Sequence, residues 1–178
     1  NINNFIIIEE NNNINIRNLF INASNQILKI DQANFNYLDT ENKKNNYIIK
    51  NIKKNNYIIS GSSFNANYLI SKLLESEDKK KNNFFKDNLV IELNLKRVYF
   101  DDIHLVKNLK GNLLVQDNEV VDVDILAFFK NSQNIKFTIK TNEQGEKITT
   151  LFSSKAKPLV DRYKFIKGFK DDREGYLD

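Results

Sequence analysis

The sequence predicts a mainly β protein with two short amphipathic helices, its strands joined into an antiparallel sheet. Three observations carry this. Apolar residues alternate with polar ones at Leu89, Ile91, Leu93 and Leu95 and again at Ile135, Phe137 and Ile139, as half-buried strands require. Gly and Pro number only 5 and 1, far below the usual combined share of roughly 12%, while Asn clusters separate the apolar runs. Two segments break the period of two and take up the stripe of a helix.

Strands are expected at 13–21, 27–37, 46–52, 57–60, 89–98, 112–116, 120–129, 135–139 and 147–151. Between them lie polar connections such as Asn55-Asn56, Gln116-Asp117-Asn118 and Asn142-Glu143-Gln144-Gly145. Where Gly is scarce, Asn and Asp are the residues best able to take positive φ, so these connections read as hairpin turns. The first helix follows from Ala66, Leu69, Ile70 and Leu73 at i, i+3, i+4 and i+7, with Asn65 as cap and Phe64 and Leu69 placed for a hydrophobic staple. The second follows from Ala156, Leu159, Val160 and Tyr163, with Ser154 as cap, Pro158 at the edge of the first turn and Gly168 as stop.

The chain therefore divides into N-terminal strands over 1–62, a helix over 63–77, a charged linker over 78–87 that the run Glu77-Asp78-Lys79-Lys80-Lys81 leads into, antiparallel strands over 88–153, a helix over 154–168 and the start of a further strand over 169–178. Several strands followed by one helix occur twice, which is the plan of a degenerate long repeat. With Asn at position 1 and no Met anywhere, the sequence is read as an internal piece of a longer protein.

Composition excludes several chemistries. Without Cys there is no disulfide framework, thiolate zinc site or Cys nucleophile. One histidine, His104, rules out a His-rich metal cluster. No run of about 18 apolar residues is present to span a membrane as a helix. The net charge of +4 is carried by Lys spread along the chain, a solvated surface rather than a nucleic-acid footprint. Abundant Asn, and Lys far in excess of Arg, mark an AT-rich coding bias more than a function.

Candidate chemistry is sparse. The isolated glycines form neither a phosphate loop nor a dinucleotide fingerprint. Asp101-Asp102 and Asp171-Asp172 are acidic pairs suited to a hard cation or acid-base work, but such pairs are common in solvated turns. Asp122 and Asp124 share one face of a strand, as any one-sided sheet would place them. His104 with Ser153 or Ser154 lacks a nucleophile elbow, so a surface histidine is expected. Aromatics interleave with Lys over Tyr163, Phe165 and Phe169, which suits a helix end as well as base stacking. No catalytic residue, metal or cofactor is assigned, and no enzyme activity is expected.

Four segments, in order, give a family resemblance. Ile58-Ile59-Ser60-Gly61-Ser62-Ser63-Phe64-Asn65-Ala66 reads as a strand ending in Ser-Gly before a capped helix. After the charged linker, Leu89-Val90-Ile91-Glu92-Leu93-Asn94-Leu95-Lys96-Arg97-Val98 is an alternating strand. Leu105-Val106-Lys107-Asn108-Leu109-Lys110-Gly111-Asn112-Leu113 follows, and then Leu151-Phe152-Ser153-Ser154-Lys155-Ala156-Lys157-Pro158-Leu159-Val160 with Gly175 and Leu177 downstream. Together these resemble the AsmA-like superfamily, in particular its YhdP-type branch of long envelope proteins, over about residues 55 to 178. Lys155 and Lys157 stand where that pattern has Asp and Gly.

The resemblance implies a curved, folded-over (β-taco-like) sheet with an open hydrophobic groove, a periplasmic location, and an inner-membrane anchor outside this piece. It also implies phospholipid transport between the inner and outer membranes, with acyl chains as the bound partner and further partners in the periplasm or outer membrane. No catalytic residue comes with it. On this reading Leu89, Ile91, Leu93, Leu95, Leu113, Val115, Ile135, Phe137 and Ile139 face acyl chains. The same alternation also suits the closed core of a β-sandwich serving as a structural or adhesion-type protein-binding module.

Overall fold

The computed structural model describes residues 1–67, 88–101, 103–117, 119–130 and 133–154. These form ten strands: β1 (Ile2–Glu9), β2 (Asn12–Ile21), β3 (Ile27–Leu38), β4 (Lys44–Lys53), β5 (Asn56–Asn65), β6 (Leu89–Tyr99), β7 (Leu105–Gln116), β8 (Glu119–Phe128), β9 (Asn134–Thr141) and β10 (Lys147–Ser153). All ten belong to one unclosed sheet whose spatial order is the order of the sequence. The expected β class and nearly every expected strand are present.

Three expectations are corrected. The sheet is mixed, because β5 and β6 pair in parallel while the other eight pairings are antiparallel. Parallel neighbours need a crossover rather than a hairpin, and the chain supplies it between Asn65 and Leu89, which a reading of alternation alone does not reveal. β1 is a strand in its own right. Its apolar residues fall on consecutive positions, Phe5 to Ile8, which hides the period of two. β5 continues through Ser63 and Phe64 to Asn65, and β7 begins at Leu105, seven residues before the expected start. The helices expected over 63–77 and 154–168 and the linker over 78–87 lie, apart from their first residues, outside the described residues. At the end of β5, Asn65 Oδ1 accepts the Asn67 backbone N–H at 3.0 Å.

Asn and Asp build the connections. Asn25, Asn42, Asn55 and Asp117 all hold positive φ, between 51° and 60°, in turns. Three five-residue loops share one design. Asn22, Asp39 and Asn142 each present Oδ1 to the backbone N–H groups two and four residues on, at 2.8 to 3.1 Å. The residue at the fourth position, Asn25, Asn42 or Gly145, takes the left-handed conformation. The side-chain carbonyl thus satisfies donors that the turn leaves without strand partners.

The expected long repeat is visible in the register. Ala33 opposes Ile49 as Val123 opposes Ile139, and Tyr47 opposes Gly61 as Phe137 opposes Leu151. Each residue lies ninety positions before its counterpart. The loops between these strands close by the same bond, Asp39 N–H to Lys43 C=O at 3.1 Å and Phe129 N–H to Gln133 C=O at 2.7 Å. Ala33 and Val123 are each 1% exposed, and Ser63 and Ser153 are both fully buried. Thus β3-β4-β5 and β8-β9-β10 are two copies of one three-stranded unit. The sequence continues the offset with Ala66, Leu69 and Ile70 against Ala156, Leu159 and Val160.

The best-packed region lies toward the second copy, where Leu95, Val98, Val106, Leu109, Ala127, Phe129 and Ile135 form one buried cluster. Leu93, Ile125 and Leu151 pack against it from the sheet, and Phe64 and Ala66 from the end of β5.

Candidate functional site

Directly opposed residues of neighbouring strands project from the same face of a sheet, so the register assigns every side chain to a face. One row can be followed across all ten strands: Phe5, Ile16, Ala33, Ile49, Ile59, Leu93, Gly111, Ile125, Phe137 and Leu151. Every member is apolar. A flanking row on the same face runs Ile7, Ile14, Phe35, Tyr47, Gly61, Leu95 and Leu109. The next row on the opposite face reads Asn4, Arg17, Gln32, Lys50, Ile58, Glu92, Asn112, Asp124, Thr138 and Thr150. Nine of those ten are polar. One face therefore carries an apolar lane across all ten strands, and the other is more polar, with Ile6, Ile48, Leu126 and Phe152 among the polar residues of its adjacent row.

All nine residues singled out from the sequence lie on the apolar face. Ile91 opposes Leu113, Leu89 opposes Val115, Phe137 opposes Ile125, and Ile139 opposes Val123, which in turn opposes Leu113. Leu89, Leu95 and Ile135 are buried, at 5%, 4% and 7% exposure, whereas Ile91, Leu93, Leu113, Val115, Phe137 and Ile139 are half-buried. The first five strands supply as much of the face, and sequence reasoning missed their share. Its signal was present as Ile14 and Ile16, then Ala33 and Phe35, then Tyr47 and Ile49, each pair two apart.

Two glycines mark places where neighbouring strands approach closely. A Cβ on Gly61 would lie 2.6 Å from Tyr47 Cα, and one on Gly111 would lie 2.8 Å from Ile125 Cα. Real side chains do not reach such distances, so only glycine fits. Each glycine adjoins a register shift, between Asn46 and Tyr47 in the first case and between Lys107 and Lys110 in the second. A glycine beside a bulge is how a sheet accommodates a local bend. Both sit within the apolar rows.

Aromatic residues thicken the first half of the lane. Phe35 and Tyr47 stack at 4.7 Å between centroids, and Phe64 meets Tyr47 edge-on at 5.2 Å. Burial drives the Tyr47 phenol well above its ordinary pKa, with the hydrogen-bonded Tyr37 adding to the shift. Tyr57 reaches past β4, and its hydroxyl accepts the Ile30 backbone N–H at 3.3 Å. Along one margin the character changes: Asn18 donates to Asp31 at 2.8 Å, and Lys29 pairs with Asp31. A nearby cleft is lined by Leu28, Lys29, Asn51, Lys53, Lys54 and Asn55.

The polar candidates resolve into structural roles. Asp101 Oδ1 accepts the backbone N–H groups of Ile103 and His104, and its Oδ2 lies 2.9 Å from His104 Nδ1, so this pair fastens the β6–β7 turn. Asp122 is held by Lys140 at 2.9 Å and Asp124 faces Lys136 at 3.7 Å, both across β8 and β9 on the polar face. The Ser154 hydroxyl donates to the Asn134 carbonyl at 3.1 Å. Among the described residues no group of three His, Asp or Glu side chains is arranged to hold a metal ion. Asp102, Asp171, Asp172 and the aromatic and lysine segment from Tyr163 to Lys170 lie outside the described residues.

An unbroken apolar lane with a more polar reverse side is thus the most extensive feature of the described residues, and the chain matches no known family, curated protein or solved structure.

Proposed function

We propose that this chain is a segment of a periplasmic AsmA-like protein, anchored in the inner membrane outside this segment, whose open sheet offers a hydrophobic groove to phospholipid passing between the inner and outer membranes. The observation that carries the reading is the ten-residue row from Phe5 to Leu151, apolar at every strand. Ten strands at a spacing of about 4.8 Å make it roughly 43 Å long. That exceeds the ~30 Å hydrocarbon thickness of a bilayer, enough for acyl chains to lie along it. Removal from water stabilises an acyl chain by about 0.8 kcal/mol per buried CH₂, and no catalytic group is needed.

The exposure gradient supports the same reading. Phe5 and Ile7 of the lane are 43% and 44% exposed, and six of the nine residues picked out by sequence are half-buried. The Lys29, Lys53 and Lys54 margin gives a phosphate headgroup a cationic rim beside an apolar bed. Extraction of the purified protein followed by lipid mass spectrometry tests the proposal: bound phospholipid is expected, and a lipid-free protein with a dry lane would contradict it. The second reading, a non-catalytic β module that binds protein, is favoured by one observation, the strand β1, every residue of which is exposed.

A further inference from the structure

At one margin of the lane the ladder between β3 and β4 ends before the strands do. Their pairing runs from Leu38 and Lys44 to Gln32 and Lys50, whereas β3 begins at Ile27 and β4 continues to Lys53. The strands leave a cleft between them, lined by Leu28, Lys29, Asn51, Lys53, Lys54 and Asn55. Tyr57 spans part of the gap from β5, since its hydroxyl accepts the Ile30 backbone N–H at 3.3 Å.

The charges in this cleft are not balanced. Lys29 is committed, its ammonium 2.6 Å from Asp31 and 5.8 Å from the centre of the Phe20 ring. The Asp31 carboxylate is satisfied in turn by Lys29 and Asn18. Lys53 and Lys54 are exposed and form no ion pair among the described residues. Asn51 adds an independent observation, because its Nδ2 is buried and donates to no acceptor among the described residues. A buried donor without a partner is costly, and an acceptor oxygen in the cleft removes that cost. Two unpaired ammonium groups beside an orphan amide donor suit an anion with several acceptor oxygens.

We propose that this cleft binds a phosphate group of net negative charge, with Lys53 and Lys54 as its cations and Asn51 Nδ2 donating to one of its oxygens. Asn51 lies two residues beyond Ile49 and Lys29 four before Ala33, so both project from the face of the apolar lane. The phosphate belongs either to a lipid or to a free ion. A lipid source rests on the groove reading, with acyl chains running from the cleft along Ile49 and Ile59. A headgroup that carries its own ammonium fits less well, because Lys53 and Lys54 repel it and Asp31 already has two partners.

The experiment follows the Asn51 side-chain amide of the full chain by heteronuclear NMR at constant ionic strength. Inorganic phosphate, dihexanoyl phosphatidylglycerol and dihexanoyl phosphatidylcholine are titrated separately, the lipids as monomers. Phosphatidylglycerol is expected to move the Asn51 amide, and phosphatidylcholine to bind about tenfold more weakly. Lys53→Gln with Lys54→Gln, both at exposed positions, is expected to weaken binding about tenfold or more. Lys107→Gln with Lys110→Gln makes the same charge change at exposed positions of β7 and is expected to leave binding unchanged. Backbone shifts at Ile49 and Ile59 that accompany phosphatidylglycerol and not inorganic phosphate identify a lipid source. A response confined to the cleft with both ligands identifies the free ion, so the site stands and the groove reading fails. An Asn51 amide that no ligand moves overturns the site, and lane shifts in that same sample leave the groove reading standing. A response that survives the Lys53 and Lys54 substitutions, or that is equal for phosphatidylcholine, also overturns it.

Discussion

Ile59 and Leu93 lie side by side across the one parallel pairing among the described strands, and both belong to the apolar row. This contact joins the two five-stranded halves without interrupting the lane. A carboxylate there would place a charge within an apolar strip, costing several kcal/mol unless solvated. Leu93→Asp, or Phe137→Asp further along, is expected to abolish lipid loading measured by extraction and mass spectrometry. Ile7→Asp supplies the control, because Ile7 is 44% exposed and the fold tolerates the change. Reduced loading with an unchanged unfolding midpoint for Ile7→Asp separates a groove from a closed core.

Gly111→Ala tests the close approach of β7 and β8. Its methyl group would fall 2.8 Å from Ile125 Cα, and the obstacle is backbone, so strand separation must change. A loss of about 1 to 3 kcal/mol is expected from denaturant unfolding. Gly145 is the contrasting site. A Cβ there meets nothing within 4 Å, and although its φ is +81°, Asn25 and Asn42 fill the same loop position at 59° and 56°. Gly145→Asn is expected to cost less than about 0.5 kcal/mol in the same measurement.

The three Asn/Asp loops give a separate expectation. Asn142 Oδ1 accepts from the Gln144 and Glu146 backbones at 3.1 and 2.8 Å. Asn142→Ala removes the one acceptor of both bonds, and a loss of about 1 kcal/mol is expected. Amide hydrogen exchange of Gln144 and Glu146 should quicken while that of the β7 and β8 ladder stays unchanged.

Acid sensitivity follows from Asp39. Burial works to raise its carboxyl pKa, but hydrogen bonds from Asn65, the Lys43 backbone, Asn45 and the Glu41 backbone outweigh this and hold it below its ordinary value. Asp101 is held low in the same way, its bonds from His104 and Ile103 overcoming burial. A depressed carboxyl contributes stability that is fully present above the unfolded value of about 3.9 and is lost as pH falls through the folded one. Unfolding midpoints should therefore fall below about pH 4. Asp39→Asn should flatten that decline, with a lower midpoint at neutral pH.

The alternation at Leu89 to Leu95 and at Ile135 to Ile139 was legible because one face of each strand is apolar and the other polar. Turn positions were legible in part: Asn55, Asp117 and Gly145 take positive φ as their surroundings suggest. Asn25 and Asn42 do so as well, yet nothing in an Asn-rich chain singles them out. β1 was not legible, since Phe5, Ile6, Ile7 and Ile8 are apolar on both faces. The parallel seam was not legible either, because alternation fixes faces and says nothing of direction. The first half of the lane was hidden by Asn34, Asn36 and Asn46, which fill the polar face beside Ala33, Phe35 and Tyr47 and lower the apparent hydrophobicity of their strands.

The most direct measurement places a photoreactive benzoylphenylalanine at one position at a time in the full chain and reads covalent phospholipid adducts by mass spectrometry. At Ile59, Ile125 and Phe137 on the apolar face, adducts are expected, and at Asn112 and Thr138 on the polar face they are not. Adducts absent from the apolar positions, or equal on both faces, would contradict a lipid-bearing lane.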